Sequence, residues 1–295
     1  MIKQAILIIA HNNEWILREL IKTLDSNYFD LYIHIDTKSS IKPESLTSLC
    51  KKSAIKVYQQ INVRWADITQ IECEMLLLKE AKKVANYKYY HLISGVDFPI
   101  KPVERIYSFF NRSSKEFIHF ESNHLDSQKL DWIKYYHLFR KYGRNNIIFK
   151  GLEYISLNIQ KILKINRIKN CNIQFMTGSN WFSITDQFAT YVLNNYKKYI
   201  SIFKNSRSSD EILMQTLLYN SKFYKANIYN QYNNVLSNMR LVDWKRGNPY
   251  VYTTKDLSEL ESSKCLFARK FDENVDKNVI IKLERRINNS NENRK

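Results

Sequence analysis

Glycine and proline are scarce, 5 and 4 in 295 residues. That scarcity excludes collagen-like, linker-type and glycine-rich phosphate-loop designs. Cysteine is as rare as proline: the 4 cysteines stand at positions 50, 73, 171 and 265. No two are spaced for a metal knuckle or a redox motif, so reduced, mostly buried thiols are expected. Acidic residues are few against basic ones, 29 Asp and Glu to 46 Lys and Arg, leaving a net charge of +17. A charge that large favours an anionic partner: nucleic acid, an anionic leaflet or a phosphorylated small molecule. Long hydrophobic runs are missing as well. The longest purely apolar stretch, residues 5–10, has the length of a strand and falls far short of a membrane span. No basic-then-apolar leader opens the chain, so a cytoplasmic protein is expected. What is present is 44% apolar residues, enough for one large core or two fused lobes, with 25% charged and 14% aromatic residues that argue against disorder.

Residues 3–10 read as a buried strand, because AILIIA is aliphatic and continuous. The polar triplet His11-Asn12-Asn13 ends it. Residues 14–24 repeat apolar side chains at helical spacing (Ile16, Leu17, Leu20, Ile21, Leu24). A second strand follows at 31–36, a short helix opened by Pro43, a third strand at 54–58 and a long helix at 68–84. A fourth strand, 89–93, runs into Ser94-Gly95-Val96-Asp97. This alternation of strand and helix predicts an α/β fold with a central, mostly parallel sheet flanked by helices. Ligands in such sheets sit at the carboxyl ends of the strands, which makes His11-Asn12-Asn13, Asp36-Thr37-Lys38 and Gly95-Val96-Asp97 the first candidates for site loops. Further on, 117–121, 173–175, 181–184, 239–244 and 250–252 read as strands. Residues 130–142, 147–163, 186–199, 209–219 and 279–287 read as helices, and 288–295 as a disordered tail. No linker separates domains, so residues 1–287 form a single one.

Several constellations could carry chemistry. Ser209-Asp210-Glu211 opens a helix; it is either a cap whose acids complement the helix dipole or a carboxylate held as a general base. Lys270 lies between Phe267 and Phe271, so it either snorkels from an apolar stripe or presents its charge to a cleft. Lys245 and Arg246, upstream, could add a second cation. His34-Ile35-Asp36 follows a strand, but one imidazole and one carboxylate make a poor site for a magnesium ion, and no metal is expected. Most of Trp65, Trp132, Trp181 and Trp244 are expected in the core, with Trp244 the best placed to stack on a sugar. Between Lys129 and Lys169 runs a basic patch: Lys134, Arg140, Lys141, Arg144, Lys150, Lys161, Lys164, Arg167 and Lys169.

The segments ILIIAHNN, IHIDTKSS, VRWADITQIECEMLLLKEA, YYHLISGVDFPIKP, FMTGSNWFSIT, SSDEILMQTLLYNS, MRLVDW and SKCLFARKFD occur in this order across residues 5–276. Together they resemble the core-2/I-branching β-1,6-N-acetylglucosaminyltransferases, a family that includes the peptide O-xylosyltransferases; the chain looks like a short bacterial member. The resemblance implies a GT-A-type glycosyltransferase fold, with a nucleotide-binding half at about 1–112 and an acceptor and catalytic half at 113–287. It implies inverting, metal-independent transfer of N-acetylglucosamine, or second xylose, from a UDP-sugar to a hydroxyl of a glycan or glycoconjugate, as in polysaccharide biosynthesis. No cofactor is expected. On the family pattern Glu211 is the base, while Lys270 and, more loosely, Arg246 contact the diphosphate. Glu121 and Trp244 touch the acceptor, and the acceptor-binding arginine of the animal enzymes falls near Asp131 here. By position alone, His11, Asn12, Asp36 and Asp97 are assigned to the donor, Asp97 equally as a turn residue. The expected partners are a UDP-sugar, a glycan or lipid-linked saccharide acceptor and, through the basic patch, an anionic membrane surface, with no nucleic acid. The alternative is a basic membrane- or nucleic-acid-binding module without catalysis.

Overall fold

The computed structural model describes residues 1–122, 124–142, 146–221, 225–230 and 232–292. Strands β1 (Gln4–Ala10), β2 (Phe29–Ile35), β3 (Ile55–Tyr58) and β4 (Tyr89–Ser94) alternate with helices α1 (Glu14–Leu24), α2 (Glu44–Thr47) and α3 (Ile68–Val84). Then come β5 (Phe98–Pro99), α4 (Val103–Asn111), β6 (Phe117–Ile118), α5 (Ser127–Lys134), α6 (Ile147–Ile162) and β7 (Phe182–Thr185). The chain continues through α7 (Asp186–Asn195), α8 (Lys197–Phe203), α9 (Asp210–Asn220), β8 (Arg240–Val242), α10 (Leu257–Ser262), β9 (Phe267–Arg269) and α11 (Asn278–Glu292).

The larger sheet has the order β3-β2-β1-β4-β7-β6. The first four strands are parallel, and β7 and β6 join antiparallel at the β4 edge. The fold class is therefore the α/β one that the alternation predicts. β1 is buried on both faces, which explains its unbroken aliphatic run. Its side chains alternate between two cores. Ile6 and Ile8 point to a core shared with α1, α4 and α11, and Ala5 and Leu7 to one shared with α3, α7 and α9. A small sheet, β5-β9-β8, sits beside the first core. Both sheets draw strands from either side of residue 112. No helix among the described residues is long and apolar enough to cross a membrane.

The structure departs from the expectations in several places, at some of them because side chains take up the backbone bonds. Residues 173–175 form no strand: the Gln174 N–H donates to Asn220 Oδ1, the Gln174 carbonyl accepts from Asn220 Nδ2, and the Met176 N–H donates to Thr216 Oγ1. Of 117–121 only Phe117–Ile118 is strand, and of 239–244 only Arg240–Val242. Residues 250–252 run beside Lys270 with two backbone bonds but form no strand. The helix expected over 130–142 stops at Lys134, where Gln160 and Asn205 capture the backbone of Tyr136 and His137. The helix expected over 186–199 divides at Tyr196. The last helix continues to Glu292, so 288–292, expected in a disordered tail, are helical in backbone; 293–295 lie outside the described residues. All four cysteines are free, and burial pushes the Cys50, Cys73 and Cys265 thiols up, Cys50 to about 12.

Candidate functional site

The parallel register of β1, β2 and β4 brings their carboxyl ends to one edge. The Asp36 and Gly95 amides both donate to β1 carbonyls, those of Ala10 and Ile9, at 2.9 Å each. A Cβ on Gly95 would stand 2.6 Å from Ala10 Cβ, so this turn needs glycine. At that edge His11 and Asn12 are exposed. Desolvation lowers the His11 pKa, with Lys38 and Arg269 acting the same way and Asp36 opposing them, which places all four groups together. Asp36 is buried; its Oδ1 accepts from the Lys38 N–H at 2.8 Å. His34 is a structural histidine. Its Nε2 accepts from the Ile61 N–H at 3.1 Å, and burial takes its pKa down to about 4 against the pull of Asp36. Among the described residues no group of three or more His, Cys, Asp or Glu side chains is arranged to hold a metal ion.

Asp97 is fully buried and turned inward. It accepts from the Ser94 N–H (2.9 Å) and hydroxyl (2.6 Å) and pairs with Arg269 Nη1 at 3.2 Å. Its geometry is that of a turn residue which also fixes Arg269. The Arg269 guanidinium lies 4.4 Å from the centre of the Trp181 ring. Lys270 follows directly, and the Phe271 N–H, donating to the Val96 carbonyl at 3.0 Å, ties this segment to the β4 turn. Glu273 continues the tie: it accepts from the Ile16 N–H at the start of α1, and its own N–H donates to Asn13 Oδ1. The Lys270 ammonium has no ion pair among the described residues. Arg246 is not brought to this edge by any of its ion pairs. Its guanidinium is shared among Asp243, Asp256 (3.0 Å) and Glu259 (2.6 Å), and it stacks on Tyr250 at 4.2 Å.

Glu211 lies in the first turn of α9. Burial raises its pKa, Lys129 and Arg207 pull it down, and Glu121 pushes it up, so these four charges lie within electrostatic reach of one another. Its carboxylate accepts no hydrogen bond from the described residues. Glu121 pairs with Lys129 and accepts from Thr177 Oγ1 at 3.1 Å. Lys129 and Arg207 both lie over the Trp132 ring, at 5.3 and 5.0 Å. Ser209 makes no side-chain cap: its hydroxyl is buried without a hydrogen-bond partner among the described residues. Asp210 points inward, its pKa lifted to about 8 by burial and then by Glu211. It faces Glu74 of α3, a fully buried carboxyl that burial and Asp210 hold well above the ordinary range. Of adjacent acids on one helix turn, the fold buries Asp210 and leaves Glu211 half-buried, and burial favours the neutral form of the first.

A run of contacts joins the two regions. The Gly178 N–H donates to the Glu211 carbonyl (3.0 Å), the Ser179 N–H to His119 Nδ1 (3.2 Å), and Asn238 Nδ2 to the Trp181 carbonyl (3.1 Å), beside Arg269. Of the four tryptophans expected mostly in the core, two pack against the second core without being fully buried and two lie at the surface. Trp132 and Trp181 are half-buried against cations, while Trp65 and Trp244 are exposed. Lys129, Arg207 and Arg269 were not singled out one by one from sequence. Arg269 was legible only as the neighbour of Lys270, and Lys129 only as the first residue of a basic stretch.

The model of the Core-2/I-Branching enzyme family matches residues 7–264, closing before the segment that carries Arg269 and Lys270. Among solved structures, the chain is similar to the apo form of the glycosyltransferase GlyE in Streptococcus pneumoniae TIGR4, with 9% identity, a TM-score of 0.27, 68% of this chain covered and 44% of that one. On the family match, which takes in most of its length, the chain belongs to the Core-2/I-Branching enzyme family.

Proposed function

We propose that the protein is an inverting glycosyltransferase of GT-A type that moves a sugar from a UDP-sugar to a hydroxyl of a glycan or glycoconjugate. N-acetylglucosamine is the first choice and xylose the second. The observation that carries the reading is Glu211, a desolvated carboxylate with no hydrogen-bond donor of its own among the described residues, facing two cations and a second carboxylate. That is the environment of a proton acceptor with its pKa brought towards the working pH.

In this reading the acceptor oxygen attacks the anomeric carbon as its proton passes to Glu211. The bond from that carbon to the diphosphate oxygen breaks on the opposite face, and UDP leaves with the electron pair. One displacement inverts the centre, so an α-linked donor gives a β-linked product. Lys270, which has no ion pair among the described residues and is tied to the strand-end loops, opposes the charge growing on the diphosphate, and no metal or cofactor is assigned. Arg246, shared among three carboxylates, serves better as a clasp of the 243–259 loop than as a second diphosphate ligand. Glu121 and exposed Trp244 belong to the acceptor side, and His11, Asn12 and Asp36 to the donor side.

The test is UDP release over a panel of UDP-sugars with EDTA present, for the wild type and Glu211→Gln. The variant is expected to bind UDP as the wild type does and to lose about 10²–10⁴-fold in turnover. Wild-type turnover by the variant would remove Glu211 from the role, and a requirement for added metal would remove Lys270 from its own.

A further inference from the structure

α6 is held to the fold along one flank. Glu153 accepts from His137 Nδ1 (2.7 Å) and the Phe139 N–H (2.9 Å), and Gln160 bonds both backbone groups of Tyr136. Gln160 is the helix's buried residue. Away from that flank Ile148, Leu152, Ile155, Ile159 and Ile162 recur at i, i+4, i+7, i+11 and i+14, which lines them up along a single stripe. All of them are exposed, from 39% at Leu152 to 79% at Ile162, and Ile147, Tyr154 and Leu163 extend the surface beside them. A solvated helix face normally carries charge, so an apolar stripe running the length of a helix marks an interaction surface.

The charge beside the stripe is almost all of one sign; the exception is Asp131 of α5, whose carboxylate lies 3.8 Å from the Lys161 ammonium. Lys150, Lys161, Lys164 and Lys169 are exposed on this segment, and between Arg140 and Cys171 the only acid is Glu153, which is turned inward onto His137. Arg167 takes no part: its guanidinium is bound to backbone carbonyls around Ile202 and Lys204. Arg144 lies outside the described residues. An apolar stripe flanked by lysines matches an anionic bilayer surface. A second copy of the chain would bring like charges face to face.

We propose that α6 lies in the plane of a membrane surface, with Ile148, Leu152, Ile155, Ile159 and Ile162 in the headgroup–acyl boundary and the neighbouring lysines on anionic headgroups. α5, which packs beside α6 through Asp131, carries Lys129 and Trp132 to the Glu211 pocket. On the proposed function, and only there, this deepens the acceptor class: a saccharide hydroxyl anchored to lipid.

The experiment is co-sedimentation of the full chain with phosphatidylcholine vesicles and with vesicles in which part of the phosphatidylcholine is replaced by phosphatidylglycerol, at low and high salt. The wild type is expected to pellet with the anionic vesicles at low salt and to be released by salt. Lys150→Gln and Lys161→Gln each lower the partition about fivefold. Ile155→Ser with Ile159→Ser lowers it at least about tenfold. UDP release onto a soluble acceptor stays at the wild-type level in all of them. No pelleting with anionic vesicles overturns the proposal. So does pelleting that ignores the isoleucines, or a dimer in sedimentation velocity that the serine pair dissolves. Vesicle binding is read without a sugar donor and UDP release without vesicles, so the docking and the catalytic reading fail separately.

Discussion

A carboxylate in the first turn of a helix ordinarily gains from the dipole and titrates low. Glu211 behaves otherwise because desolvation outweighs its surroundings; Lys129 and Arg207 only partly restore the charged form, and Glu121 works against them. A base must be ionised to accept a proton, so turnover should rise with pH through the Glu211 pKa, and the acid limb of kcat/KM should lie above the ordinary glutamate range of about 4.3. Lys129→Met removes a cation that lowers this pKa and frees the Glu121 charge, so the limb should move to higher pH. Glu121→Gln removes a charge that raises it and should move the limb to lower pH. Both substitutions also cost rate through the acceptor, but the position of the limb reads the proton acceptor. If the two variants shift it in the same direction, this assignment of charges is wrong. At this scale the sequence singles out Glu211 and Lys270, where a chemical argument and a family motif coincide, and their roles rest on the proposed function. Lys129, Arg207 and Arg269 escaped because a lysine or arginine in a chain of net charge +17 carries no local signal of which carboxylate it will face.

At the scale of elements, Gly178 decides how the segment before β7 meets α9. A Cβ there would stand 1.8 Å from the His119 carbonyl oxygen and 3.0 Å from Gln215 Nε2. Gln215 holds the carbonyls of both His119 (3.2 Å) and Ser179 (2.8 Å), and the Gly178 N–H holds the Glu211 carbonyl. Gly178→Ala must push the segment off the helix that carries Glu211. The expected cost is about 1–3 kcal/mol in stability, together with a loss of kcat/KM, checked by thermal unfolding and UDP release on the same preparation. An alanine variant with wild-type melting and wild-type turnover would show that the segment can relax without moving Glu211. The same region shows where reading by pattern stops. α1 and α3 were found to the residue because a stripe at helical spacing is a local property. Residues 173–175 looked like a strand because Ile173 and Phe175 flank a polar residue, but the Gln174 backbone is satisfied by Asn220, and that of Met176 beside it by Thr216, on a helix far along the chain. α4 and the short β9 went unread: β9 has three residues, and its pairing with β8 and β5 is wholly non-local.

The whole molecule is two apolar cores on the two faces of one sheet, with the small sheet fastened against the first. Strand alternation disclosed the parallel strands, whose burial on both faces leaves a continuous aliphatic signature. It could not disclose that β7, from the second half of the chain, enters antiparallel beside β4, because neither strand encodes the direction of its neighbour. Where the sheets meet, a single buried cation does the fastening. From β8, Arg240 donates to the Leu92 carbonyl of β4 (3.2 Å) and to the Phe182 carbonyl (2.7 Å) and Ser183 hydroxyl (2.7 Å) of β7, with its guanidinium over Phe267 of β9 at 5.3 Å. Burial draws its pKa down to about 9, partly opposed by Asp97 and Cys265. Arg240→Met keeps the bulk but takes this donor from the buried Leu92 and Phe182 carbonyls, at about 1–3 kcal/mol for each one left unpaired, while Ser183 Oγ keeps its 2.7 Å bond with His91 Nδ1. A loss of about 3 kcal/mol and a fall in Tm of about 6 °C or more are therefore expected. Arg240→Lys should recover little of it, since one ammonium cannot span acceptors on two strands as the planar guanidinium does. Differential scanning calorimetry of the two variants decides the matter. Melting at the wild-type temperature in Arg240→Met would mean that apolar packing alone holds the sheets together, and that the arginine is tolerated at their junction rather than required there.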